Sequence, residues 1–317
     1  MRNLLTLVKK VPKKGSSPAK VYLSGLARSG RRAVDTQLRN VAKMVGAKSI
    51  DTVPWHELRH EHLVAIKTKM QDMGKSPSTV NLMLAGVRGV VRTCWNMGLV
   101  TAEDLARIEA VKNVKASTEP KGRRIISGEL GAIMSTINTE TDSGKRDAGI
   151  IALAYCGGLR RQELANLQVA DLNDKDDEIE ITIKRGKGRK DRILFLNNGG
   201  ADALRDYLSV RGSLPGALFW SSFKGGKLVP DSKMTDQAIY ARIRWCAKKA
   251  GVKSLTPHDM RRSFVSDMLD AGVDISTVAA MAGHSSVATT QRYDRRGDEA
   301  KKRAAKALHL PYGKAYD

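Results

Sequence analysis

The stretch from Pro257 to Arg296, PHDMRRSFVSDMLDAGVDISTVAAMAGHSSVATTQRYDRR, limits most sharply what this chain can become. Thr256 can cap a helix, Pro257 suits its first turn, and Phe264, Met268 and Leu269 follow at helical spacing. On that helix His258 and Arg261 are three residues apart and share a face. Ala271-Gly272-Val273-Asp274 ends it, and Ile275 to Ala282 reads as a second short helix with His284 just past its end. Ser286 can cap a third helix that ends at Tyr293. An arginine, two imidazoles and a phenol therefore share one compact helical frame. A phosphodiester broken without a metal needs such a set: a cation and donors for its oxygens, a proton carrier and a nucleophile.

Upstream, Ser127 to Ile137 reads as a helix, and Ala148 to Tyr155 is an apolar helix broken by Gly157-Gly158. Arg160 then opens the next helix, with Glu163 three residues on. By itself an Arg and Glu at that spacing is a common surface pair. From Glu178 to Leu196, Ile179, Ile181 and Ile183 alternate with polar neighbours, a Gly-Lys-Gly turn follows, and a second apolar run completes a β-hairpin. Lys187 stands at its tip; Lys184, Arg185, Arg189, Lys190 and Arg192 around it are phosphate contacts or merely solvated. Asp202–Val210 and Thr235–Ala250 read as helices, with a short strand at 218–220 between them. Arg242, Arg244, Lys248 and Lys249 form a candidate phosphate-facing surface on the second.

The rest of the chain reads as a second, helical domain. Segments Ala19–Val45 (broken near Gly30), His56–Met73, Ser78–Met97 and Ala102–Val111 carry helical periodicity. Val80, Leu84, Val87 and Val91 form an apolar stripe capped by Ser78, with Arg88 and Arg92 nearby as either a solvated face or DNA contacts. Residues 1–17 are a basic tail, and 112–123, polar with Pro120 and Gly122, read as a linker. The expected layout is a helical domain over 18–111, a second domain over 124–297 and a basic amphipathic tail over 298–317.

Charge decides the class of partner. The formal net charge is +22, with 23 lysines and arginines against 9 acids in residues 1–123, which points to a polyanion such as nucleic acid. Three cysteines, widely spaced, suggest neither a disulfide framework nor a zinc site. The apolar run Leu4–Val8 is too short for a signal peptide and no segment could span a bilayer, so the expectation is a cytoplasmic protein with no membrane partner.

Taken together the motifs resemble the tyrosine recombinase (phage integrase) family. Its HxxR…GH…Y box is matched by His258, Arg261, Gly283-His284 and Tyr293, and its GLRxxE box by Gly158-Leu159-Arg160 and Glu163. The resemblance implies a mainly α fold with a small antiparallel sheet in the catalytic domain. Two domains, a SAM-like core-binding domain and an α+β catalytic domain, would clamp duplex DNA. It implies Arg160, Lys187, His258, Arg261, His284 and Tyr293 as catalytic residues, with Glu163 in support and no cofactor or metal. Tyr293 would form a 3′-phosphotyrosyl link, and Lys187 would protonate the leaving oxygen. Candidate DNA contacts are Arg88, Arg92, Arg185, Arg189, Lys190, Arg242 and Arg244. The family also implies a tetramer on DNA, tails that dock on a neighbouring protomer, and accessory DNA-bending or directionality proteins. Arg262 stands where many members have His, outside the matched set. Each residue taken singly has a plainer reading, as a helix-start His, a loop His or a half-buried Tyr. The ordered set is what argues otherwise. A type IB topoisomerase and a non-catalytic DNA-binding regulator remain as alternatives. Relaxation of supercoils without a specific site would mark the first, and binding without a covalent adduct the second.

Overall fold

In the computed structural model the described residues are 17–115, 122–126, 128–184, 191–284 and 286–294, with Lys302 and Ala305. The chain divides into two compact units, Met1–Glu119 and Pro120–Asp317, a division that falls inside segment 112–123.

The first unit is built on a run of apolar residues with helical period. Helices α1 (Pro18–Gly25), α2 (Arg28–Met44), α3 (His60–Asp72) and α5 (Ala102–Glu109) pack around α4 (Pro77–Asn96). Val80, Leu84, Val87 and Val91, the stripe expected from the sequence, are fully buried on α4, together with Met83, Val90 and Cys94. The cap is Ser76, which accepts from Thr79 N, rather than Ser78, because Pro77 takes the first helical position. The break between α1 and α2 is at Leu26-Ala27, and Gly30 lies inside α2. Trp55 starts a separate 3-10 turn ahead of α3; its indole is 1 % exposed and donates to Ile50 O at 2.7 Å.

The second unit places a three-stranded antiparallel sheet among helices. Helix α6 is Glu129–Ser135, α7 is Asp142–Tyr155 and α8 is Arg161–Asn166. Strands β1 (Leu172–Asp174), β2 (Glu178–Ile183) and β3 (Arg192–Asn197) follow in spatial order β1-β2-β3, with Ile181 opposite Leu194. Ile179, Ile181 and Ile183 point inward, as their alternation requires, and Leu194 and Leu196 meet them in the main core. Helix α9 (Asn198–Arg211) packs on α7. Strands β4 (Trp220–Ser222) and β5 (Leu228–Lys233) form a small second sheet. Helices α10 (Asp236–Lys249), α11 (Pro257–Asp270), α12 (Ile275–Ala282) and α13 (Val287–Gln291) complete the unit. Among the described residues no helix is long and apolar enough to cross a membrane.

Candidate active site

The site is assembled at the end of α12. Gly283 adopts a left-handed conformation (φ +66°), which favours glycine, and closes a Schellman motif: His284 N donates to Ala279 O at 2.8 Å and Gly283 N to Ala280 O at 2.9 Å. The next three carbonyls would be orphaned by the end of the helix, yet each accepts from a different arginine. Arg192 Nε donates to Met281 O at 2.9 Å, Arg261 Nη2 donates to Ala282 O, and Arg160 Nη2 donates to Gly283 O at 2.9 Å. The turn that releases His284 is thus also the seat of both predicted catalytic arginines.

Arg160 is the N-cap of α8, and its own backbone N–H donates to Glu163 Oε2 at 2.9 Å, while its Nη1 reaches Oε1 at 2.9 Å. Arg161, next in sequence, turns instead to the start of α10, where it pairs with Asp236 at 3.1 Å. Arg261 is 5 % exposed and donates through Nη1 to Gly158 O at 2.7 Å. Gly158 lets α11 pack closely here: a Cβ there would stand 2.4 Å from the Phe264 ring. Burial, reinforced by the Arg160 charge, lowers the Arg261 guanidinium to about 9, so it keeps its proton at neutral pH.

Arg192 was expected to be a phosphate contact or a solvated residue. It is neither. Its guanidinium is 8 % exposed and binds Glu163 through both Nη atoms at 3.0 and 2.8 Å. Burial works to raise the Glu163 carboxyl, but the hydrogen bonds and charge of Arg192, with help from Arg160, outweigh it and bring it down to about 2. Glu163 therefore sits ionised between two guanidinium groups. The lysine at the base of the hairpin, Lys184, pairs with buried Asp171.

His258 projects from the first turn of α11 beside Arg261. Partial burial pushes its imidazole below the usual range against the pull of Asp259, and Arg261, Arg262 and Arg160 add to the effect. His284 is pushed down to about 4 by burial and then by Arg261 and Arg160. Its Nδ1 lies 2.8 Å from Thr290 Oγ1, and Thr290 is fully buried. Thr290 O in turn accepts from Tyr293 N at 2.9 Å, and the Tyr293 ring stacks on His284 with centroids 6.3 Å apart. Arg160, His258 and Arg261 line a cavity of about 310 Å³, together with Arg161, Tyr240, Thr256 and Pro257. Arg160, His258, Arg261, His284 and Tyr293 are thus brought together with Glu163.

Lys187, Arg185, Arg189 and Lys190, and the tail 298–317 apart from Lys302 and Ala305, lie outside the described residues. Of the other candidate DNA contacts, three have partners inside the protein. Arg88 donates to Asn113 Oδ1 at 3.0 Å and to Val111 O. Arg92 pairs with Glu109. Arg242, itself partly exposed, pairs with Asp147, a carboxylate only 3 % exposed that also binds Arg146. Arg244 is exposed, with its guanidinium 5.7 Å from the Tyr240 ring centroid. Two site members were not legible as such: Arg192, whose neighbours are also basic, and Thr290, one of two adjacent threonines. The position of Arg192 at the first residue of the returning strand was the available clue.

Residues 123–299 match the model of the phage integrase family. The tyrosine recombinase XerC of Myxococcus xanthus is 38 % identical over 227 residues, covering 69 % of this chain and 71 % of that one. XerC of Shewanella amazonensis is 30 % identical over 261 residues, covering 81 % of each. The fold is also that of the Tn1549 transposon integrase solved with transposon right end DNA (TM-score 0.65, 18 % identity, 92 % of this chain and 99 % of that one). A lambda integrase dimer bound to a COC′ core site is similar too (TM-score 0.65, 14 % identity, 88 % and 93 %). The chain belongs to the phage integrase family. Its activity is site-specific DNA recombination, in which DNA is cleaved and rejoined.

Proposed function

We propose that Tyr293 is the nucleophile of the recombination and that the scissile phosphate of duplex DNA lies at the cavity formed by Arg160, His258 and Arg261. The observation that carries this reading is that Arg160, His258 and Arg261 line one cavity, while the end of α12 that both arginines bind also carries His284, on whose ring Tyr293 stacks. Tyr293 Oη attacks phosphorus, a 3′-phosphotyrosyl bond forms and the bond to the 5′ oxygen breaks. A phenol is a poor nucleophile at its ordinary pKa of about 10, so its proton must be taken as it attacks. His258 is suited to take it, because its lowered pKa keeps it neutral at pH 7. Arg160 and Arg261 hold the non-bridging oxygens as charge builds. In the tautomer whose Nδ1 accepts from Thr290 Oγ1, His284 carries its proton on Nε2, from which it can donate to the phosphate. Lys187 supplies the proton to the departing 5′ oxygen. The covalent link conserves the bond, so attack by a 5′ hydroxyl reverses the sequence and rejoins a strand without ATP.

A second cavity of about 730 Å³ runs along α10, lined by Tyr240, Arg244, Trp245 and Lys248, and shares Tyr240 with the first. Its basic and aromatic lining supports DNA continuing past the site along α10. The reading includes a tetramer on DNA with tails 298–317 exchanged between protomers, acting in the cytoplasm at the nucleoid.

The test is a nicked duplex carrying the presumed recombination site from DNA flanking the gene, incubated with wild type and Tyr293→Phe. A protein–DNA adduct that resists denaturation is expected with wild type alone. An adduct that persists in Tyr293→Phe would move the nucleophile to Tyr312 or Tyr316.

A further inference from the structure

Helix α11 carries two stripes with different partners. His258 and Arg261 face the cavity. Asp259, Arg262, Ser263, Asp267 and Asp270 form the other stripe and grip the short segment by which the chain enters the catalytic unit. Arg262 Nη1 donates to Gly122 O at 2.8 Å, Arg123 N donates to Asp259 Oδ1 at 3.0 Å, and Ile125 N donates to Ser263 Oγ at 2.7 Å. Arg124 pairs with both Asp267 and Asp270. The fit at Gly122 is tight: its φ is +112°, and a Cβ there would stand 2.6 Å from Asp259 Oδ1.

Arg262 belongs to both sides of this arrangement. It is 6 % exposed, and the carbon of its guanidinium lies 5.7 Å from the centroid of the Tyr293 ring, within the range of a cation–π contact. One planar group thus touches the entering backbone and the phenol-bearing ring. Tyr293 follows α13, a helix of only five residues, and its ring packs against the Phe264–Ala282 apolar cluster and stacks on His284, with Arg262 as its cationic neighbour. A buried guanidinium that is itself fixed to backbone supplies a rigid wall for the ring.

We propose that Arg262 is a positioning residue for the nucleophile: it holds the Tyr293 ring and ties it to the Gly122 carbonyl, so that the course of the entering segment sets where the phenol stands. The role is distinct from the chemistry of Arg261, its neighbour, which faces the phosphate cavity. It rests on Tyr293 being the nucleophile. Tension or displacement at residues 122–125 would then be read at the reacting oxygen, giving the segment that joins the two units a say in cleavage.

The test has two readouts on the full chain. The first needs no DNA. With the seven tyrosines labelled with ¹³C at Cζ, the Tyr293 resonance is assigned by its loss in Tyr293→Phe. Arg262→Gln and Gly122→Ala are both expected to shift that resonance and leave those of Tyr22 and Tyr207 in place. The second is single-turnover adduct formation on the nicked flanking-site duplex at saturating concentration. Since misplacing a reacting group by an ångström costs about a hundredfold, Arg262→Gln is expected to slow the step by about that factor, and Gly122→Ala by about tenfold. The dissociation constant for the same duplex should stay within about twofold, because positioning alters geometry and not phosphate contacts. A duplex with a bridging 5′ sulfur, whose leaving group needs no proton, should leave the Arg262→Gln deficit in place while relieving that of Lys187→Ala.

An unchanged Tyr293 resonance in both variants, or a wild-type rate in Arg262→Gln, would overturn the proposal. Should Arg262→Gln fail to fold, Gly122→Ala carries both readouts. If wild type forms no adduct, the assignment of Tyr293 as nucleophile on that duplex fails, and the resonances alone decide whether Arg262 positions the ring.

Discussion

Replacing Glu163 by glutamine keeps the shape of the side chain and removes one buried charge. The carboxylate is 14 % exposed and accepts from Arg160 N, Arg160 Nη1 and both Nη atoms of Arg192. Burial alone would raise its pKa, yet the two guanidinium groups bring it from 4.5 down to about 2. That displacement corresponds to a preference of about 3 kcal/mol for the ionised form in the folded protein. Because the folded value lies below the unfolded one, this stability is fully present above pH 4.5 and is lost as pH falls toward 2. The amide also leaves Arg192, 8 % exposed, without a counter-charge, and stranding a buried ion costs roughly 3–5 kcal/mol. Urea unfolding at pH 7 should therefore show Glu163→Gln less stable than wild type by about 3 kcal/mol, with the two proteins converging as pH falls below 4.5. Arg192→Met removes the stranded cation, so the double variant should recover part of the loss and give a coupling energy of about 2 kcal/mol in a double-mutant cycle. Adduct formation should fall by about a hundredfold, since Arg160 loses the anchor that aims it. A loss of stability under about 1 kcal/mol, or singles that simply add, would refute the claim that the Arg160–Glu163–Arg192 cluster holds the site together.

Three further outcomes test other parts of the structure. His284 has a folded pKa of about 4 against an ordinary 6.5, so it is neutral in both states above pH 6.5 and protonates first in the unfolded chain as pH falls. Denaturation at pH 7 and pH 4.5 should show a loss of at most about 3 kcal/mol from this group, and His284→Gln should remove that part of the slope. Arg242→Ala should destabilise the protein by about 2 kcal/mol, because Asp147 keeps Arg146 but loses its charged hydrogen bonds at Oδ2, while the salt dependence of DNA binding hardly changes. Arg244→Ala should do the reverse, keeping stability within about 0.5 kcal/mol and lowering the slope of log K against log salt by about 0.9 in anisotropy titrations.

Much of this architecture can be read from residue order. The stripe on α4, the alternation of Ile179, Ile181 and Ile183, and the caps at Thr256 and Ser286 follow from local rules. The members of the site were legible because they lie in ordered motifs, and Gly283 shows the physical reason for one of them: a left-handed residue must precede His284. What local rules cannot supply is the partner of a cation. Arg192 and Arg189 look alike in a basic hairpin, and Arg242 and Arg244 look alike on a basic helix. Only packing reveals that Glu163 binds Arg192 and that Asp147 binds Arg242. Helix ends shift for the same reason: α7 starts at Asp142 and not near Ala148, because Thr141 caps it through Gly144 N.

The deeper problem for such a site is to hold several positive groups together before the phosphate arrives. Arg160, Arg192 and Arg261 converge on the end of one short helix, where their mutual repulsion should drive them apart. Two features of the protein oppose that. Glu163 cancels one of the three charges, and the C-terminal carbonyls of α12, at the negative end of its dipole, accept from all three. A guanidinium has five N–H donors, so a carbonyl and a carboxylate can fix its plane while others are left for substrate oxygens. With three cations and one anion, the cluster keeps a surplus of positive charge for the phosphate. Donors fixed in this way need little reorganisation as charge develops in the transition state, the condition under which electrostatic stabilisation is most effective. The end of α12 therefore does two jobs with one set of bonds: it terminates a helix whose carbonyls would otherwise be orphaned, and it aims the arginines.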